Sequence, residues 1–337
     1  MKPSAPRNDL PITGLASDSR LFPPRDPDSA LKGLKGAECT FCEAELALAR
    51  CEFCRAKVLA EQLLCDDKYI FVAVRMGFVA AIGLGDLKFF DQVLRSLEDY
   101  RKRAPSVRSA LGVEIAVSWL RLFLWLPAGH PEWMCRFDLS DIPEPWRASV
   151  AYLGVKILIA QGSFESAYAA ASLFLNFVCP QQDISIATSY AKMACAVACR
   201  ETGRTEEMMK WLDEAIRMLV PHGFLLPFLL FMHSSHKSPV EELIAEIAPD
   251  SVPRYRDLSK RYFANLIRAR NHYTGEHMTT ALSFREFYLA MLLKRDMSYK
   301  DLSERFEVTV GRMKNIVSAI YDKLGIHSSG ELRDLVW

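Results

Sequence analysis

Between residues 37 and 275, leucine, alanine, phenylalanine and methionine return at intervals of three and four, and no run alternates strictly. That spacing lines one side of a helix with apolar side chains, whereas a half-buried strand needs a period of two. The chain is therefore expected to be all-α over this length. Breakers punctuate the pattern at Gly85-Asp86, Pro127-Ala128-Gly129, Pro143/Pro145, Gly162-Ser163, Gly203-Arg204, Pro221/Gly223 and Pro227. Three junctions share one form, a glycine, a polar residue and then an amphipathic stretch: Gly85-Asp86-Leu87, Gly162-Ser163-Phe164 and Gly203-Arg204-Thr205. They stand 77 and 41 residues apart, and Gly129 lies near the middle of the longer interval. A period near 40 predicts an array of α-helical hairpins, in which each pair covers the apolar face left by the one before it.

The junctions resemble degenerate tetratricopeptide repeats. In those repeats a small residue follows the glycine by five positions. Ala167 matches it, and Phe90 and Met208 depart from it. The expected organisation is a disordered, proline-rich segment 1–36, a helical-repeat sensor or interaction domain 37–270, a linker 271–281 and a C-terminal domain 282–337. Arg254, Arg256, Lys260, Arg261, Arg268 and Arg270 make 251–281 basic, read either as an arm near nucleic acid or as a solvated helix face.

The C-terminal domain carries the most specific signals. Ser283 with Glu286, and Ser298 with Asp301, have the spacing of a helix N-cap and its reciprocal acid. A short helix from Ser298, a tight turn at Glu307-Val308, and a helix Val310 to Leu324 capped by Thr309 and ended by Gly325 make a helix-turn-helix. Its second helix would point Met313, Val317, Ile320 and Leu324 inward and Val310, Gly311, Arg312, Lys314 and Asn315 outward. Arginine can bond guanine in two places, asparagine can do the same with adenine, and lysine reaches phosphate.

Over about fifty residues without a gap, this segment resembles the DNA-binding domain of LuxR-type regulators. The likeness rests on Leu282-Ser-Phe-Arg-Glu286, Met297-Ser-Tyr-Lys-Asp-Leu-Ser-Glu-Arg-Phe306, Ile320-Tyr-Asp-Lys-Leu-Gly325 and Ser328-Ser-Gly-Glu-Leu332. Phe284 replaces the family's proline, Asp296 its glycine and Ile316 a frequent histidine. The resemblance implies a four-helix domain that binds double-stranded DNA, with Lys300 and Lys314 as contacts; with the outward positions of the second helix, the expected DNA-binding residues are Lys300, Thr309, Val310, Gly311, Arg312, Lys314 and Asn315. It also implies a homodimer through the last helix at Leu332 and Leu335. The order of parts is similar to that of large MalT-like members without their ATPase, because no G-x-x-x-x-G-K-[ST] loop is present.

The expected function is a cytoplasmic, bacterial transcription regulator whose repeats sense a small-molecule or protein effector. The alternative is an interaction scaffold with a vestigial DNA-binding domain. Net charge is +1 for the chain and zero from Glu276 onward, so any pull on nucleic acid must be local. No nucleophile elbow or H-E-x-x-H is present, no enzyme and no cofactor are expected, and no segment reads as a signal peptide or a membrane span. Among nine cysteines, Cys39, Cys42, Cys51 and Cys54 have paired zinc-ligand spacing. The helix-forming stretch between the pairs favours packing thiols over a metal site.

Overall fold

The computed structural model describes residues 31–104, 106–126, 128–177, 186–229, 238–275, 282 and 284–334. Among them there are helices and turns and no strand. In the body these are α1 (Gly36–Ala49), α2 (Phe53–Leu63), α3 (Ile70–Leu84), α4 (Leu87–Arg103), α5 (Val107–Phe123), α6 (Glu132–Cys135) and α7 (Glu144–Ala160). They continue with α8 (Phe164–Phe177), α9 (Ile186–Glu201), α10 (Thr205–Leu219), α11 (Leu226–Leu229), α12 (Pro239–Ile247) and α13 (Val252–Thr274). The C-terminal domain follows as α14 (Phe284–Lys294), α15 (Tyr299–Arg305), α16 (Val310–Leu324) and α17 (Ser329–Asp334).

The repeated junction glycines do one physical job. Gly85, Gly162 and Gly203 all take positive φ, at 69°, 81° and 76°, and end a helix so that the next can turn back. The fifth position after each is buried, whether it is alanine, phenylalanine or methionine (Ala167, Phe90, Met208). Neighbours in sequence pack together from α1 to α4 and from α7 to α10.

The helices do not stop at neighbour contacts. α3 carries Arg75 as its one charged side chain and is buried along nearly its whole length. It is surrounded by α1, α2, α4, α5 and α13. Its approach to α5 depends on Gly112, where a Cβ would stand 2.1 Å from the Phe71 ring. α13 returns across the first helices, and Asn265 donates to the Gly83 carbonyl at 3.2 Å. Arg75 is 4 % exposed and pairs with Glu45 of α1, 5 % exposed. Burial pushes the Glu45 carboxyl up, against the pull of the Arg75 charge.

Three boundaries differ from expectation. Leu31 and Leu34 pack on the core although they lie inside the segment read as disordered. Residues 1–30 lie outside the described part. α13 runs to Thr274, into the expected linker, and Gly275 ends it at φ 71°. The stretch 39–54 is broken by Cys51 at φ 58°, a turn that the run of helix formers did not announce.

Candidate nucleic-acid interface

α15, its turn and α16 form the expected pair with its expected caps. The Ser298 hydroxyl accepts the Asp301 amide at 3.2 Å and donates to the Asp301 carboxylate at 2.6 Å. The Thr309 hydroxyl accepts the Arg312 amide at 3.2 Å, and Gly325 closes α16 at φ 67°. Between the helices, Glu307 takes φ 53° while the Val308 amide donates to the Ser303 carbonyl at 3.0 Å. Asp296, where the resemblance has glycine, sits at φ 61°. Ser283 lies outside the described residues. Glu286 accepts Lys323 of α16 at 2.9 Å on both oxygens, which ties α14 to α16 and engages that cation.

α16 is amphipathic along its first turns. Met313, Val317 and Ile320 are at most 1 % exposed and enter a core shared with Leu302, Phe306 and Leu332. Thr309, Val310, Gly311, Arg312, Lys314 and Asn315 are exposed, as is Lys300 on α15. Arg312, Lys314 and Lys300 meet no carboxylate within ion-pair distance among the described residues. The helix pair thus offers three unengaged cations and an amide group over a rigid apolar base.

Leu332 is fully buried in the domain core, so its side chain is not available to a second copy. Leu335 lies outside the described residues. The basic stretch before the domain is largely committed to the body. Arg256 pairs with Glu241, Arg261 with Asp257, and Arg254 donates to the Arg50 carbonyl at 2.6 Å. Arg270 is buried and donates to the carbonyls of Leu124 and Trp125 at 3.2 and 3.1 Å.

The paired cysteines do not converge. Cys39 donates weakly to Glu43 at 3.7 Å, Cys42 is buried in α1, and Cys54 is exposed on α2. Burial pushes the Cys51 thiol up to about 12, partly countered by Arg254. No group of three or more metal-ligating side chains gathers among the described residues. His233, His236 and Cys179 lie outside them. No helix among them is long and apolar enough to cross a membrane.

The C-terminal domain is docked on the body by contacts that sequence reasoning did not anticipate. Glu201, at the end of α9 and 3 % exposed, accepts Arg305 of α15, Arg200 at 2.7 Å and the Tyr288 hydroxyl of α14 at 3.3 Å, all on one oxygen. Burial works to raise its carboxyl, but the Arg200 and Arg305 guanidinium groups outweigh that and hold it at about 2. Trp125 stacks on Phe287 with ring centres 6.2 Å apart, and Arg295 donates to the Ala160 carbonyl at 2.5 Å. These pairs lie up to 162 residues apart in the chain, beyond the reach of local periodicity. No family model, curated protein or solved structure matches the chain.

Proposed function

We propose that this protein is a sequence-specific DNA-binding transcription regulator. Its C-terminal domain reads double-stranded DNA, and its helical body receives an effector. One observation carries the reading. The first turns of α16 expose Arg312, Lys314 and Asn315 without ion-pair partners among the described residues, while the opposite face is locked into the core. A helix with that division can lie in a major groove and bring its N-terminal side chains to base edges. Lys300 at the start of α15 suits a phosphate contact. Two copies would read half-sites about one helical turn apart.

The test is selection of bound duplexes from random sequence, followed by titration of the selected site against salt. Arg312→Ala is expected to weaken binding by about 1–3 kcal/mol and to relax preference at one base position. Lys314→Ala is expected to weaken all sequences alike and to lower the salt slope by about one. Wild-type affinity in both variants would overturn the assignment of α16.

The alternative, a scaffold with a vestigial DNA-binding domain, draws on the zero net charge of the C-terminal segment and on Val310, 40 % exposed at the tip of α16. Its signature is binding to a protein partner with no selected duplex and with weak dependence on salt.

A further inference from the structure

Beside the docking contacts, a cleft of about 140 Å³ opens between the body and the C-terminal domain. Trp125, Phe164 and Val197 line it from the body, and Met291 and Leu292 of α14 line it from the other side. Its charged groups are Lys156, Arg200 and Arg295 against Glu201 alone. Glu201 and Arg200 are already paired, and Arg295 is engaged by a carbonyl. Lys156, on α7, has no hydrogen bond or ion pair to any described residue.

Lys156 is half-buried in a mostly apolar wall without a counter-charge, a position that an anion entering the cleft would stabilise. Burial alone pulls Lys156 down to about 8, with no neighbouring carboxylate to offset it. A second anomaly adjoins it. Trp125 takes φ 58°, a conformation that is costly for a bulky residue and that gathers at ligand clamps and switch regions.

We propose that this cleft binds a small monoanionic amphiphile, a ring-sized carboxylate whose carboxyl meets Lys156 and whose apolar part lies between Trp125, Phe164 and Met291. The volume sets the size, since a cavity of roughly 150 Å³ takes a single benzene ring. The net excess of cations sets the sign of the ligand. Because both domains supply walls, an occupant tightens their docking by mass action. As the effector site of a regulator, the cleft rests on the DNA-binding reading; as a carboxylate site it stands alone.

The test uses the full chain and two probes of one shape, phenylacetate and phenylacetamide, titrated by calorimetry at pH 7. Phenylacetate is expected to bind with a Kd between about 0.1 and 10 mM, the range open to a ligand of this size. It is expected to bind at least about ten-fold more tightly than the amide, as a charge-assisted bond to Lys156 requires. Lys156→Met, which keeps the stem and removes the charge, is expected to erase that preference while leaving thermal stability equal or higher. Equal binding of acid and amide, no binding of the acid by about 10 mM, or a preference that survives in Lys156→Met would each overturn the proposal. The comparison of acid with amide in the unaltered protein needs no variant to fold. None of these readings involves DNA, so loss of the cleft and loss of the DNA-binding function are seen separately.

Discussion

Glu201→Gln is the sharpest probe of how the two domains are joined. The variant keeps the size of the side chain and removes the charge that three donors share. Arg200 lies on the same helix as Glu201, so its contact is weakened whether the domains are docked or apart and drops out of the comparison. The bonds from Arg305 and Tyr288 exist only when the domains are docked. The Arg305 bond then keeps charge on its donor alone and the Tyr288 bond becomes neutral, at a cost of about 1 kcal/mol each, or about 2 kcal/mol in all. That is about a thirty-fold shift toward the undocked form at 1.36 kcal/mol per factor of ten. Amide hydrogen exchange at pH 7 reads it directly as a matching loss of protection in α14, α15 and the end of α9. The pH dependence gives a second reading. An unfolded glutamate titrates near 4.3, while docked Glu201 is held at about 2. Its contribution is therefore complete above about pH 4.3 and is lost as pH falls toward 2. Glu201→Gln should be flat across that window at this contact. Equal protection in the two proteins, with the same acid profile, would refute the latch.

Three further outcomes concern stability. Gly311 is exposed at the start of α16 with nothing within 4 Å of an added Cβ, so Gly311→Ala should stabilise the protein by about 0.5–1 kcal/mol in urea unfolding. Gly112→Ala drives a methyl into the Phe71 ring and should cost about 1–3 kcal/mol in the same assay. Arg75→Ala strands a buried Glu45 and should cost about 3–5 kcal/mol, whereas the double change Arg75→Met with Glu45→Leu should recover most of it in a double-mutant cycle.

Much of the local structure was legible. The α16 limits, the caps at Ser298, Thr309 and Gly325, and the turning glycines at 85, 162 and 203 follow from short-range chemistry. Such groups satisfy helix ends within three or four residues, so their spacing alone identifies them. The left-handed turns at Cys51 and Trp125 were less readable, because tertiary packing holds residues there that disfavour the conformation. The closure by α13 and the docking through Glu201 were not readable at all. Periodicity tells which side of a helix is apolar; it does not tell which distant helix will cover it. Leu332 shows the same limit, since an apolar residue on a terminal helix serves a core and a partner equally well in sequence.

The return of α13 over α3 has a consequence for synthesis. The groove that Tyr262 and Leu266 of α13 help to seal is made by residues translated about 180 positions earlier, as the Asn265–Gly83 contact measures. At about 5–20 residues per second, an emerging chain holds that groove open for roughly ten seconds or more. An open solenoid can fold unit by unit as it leaves the ribosome. Here the first third of the body waits for the last helix, and until then it shows the cell the kind of apolar surface that chaperones bind.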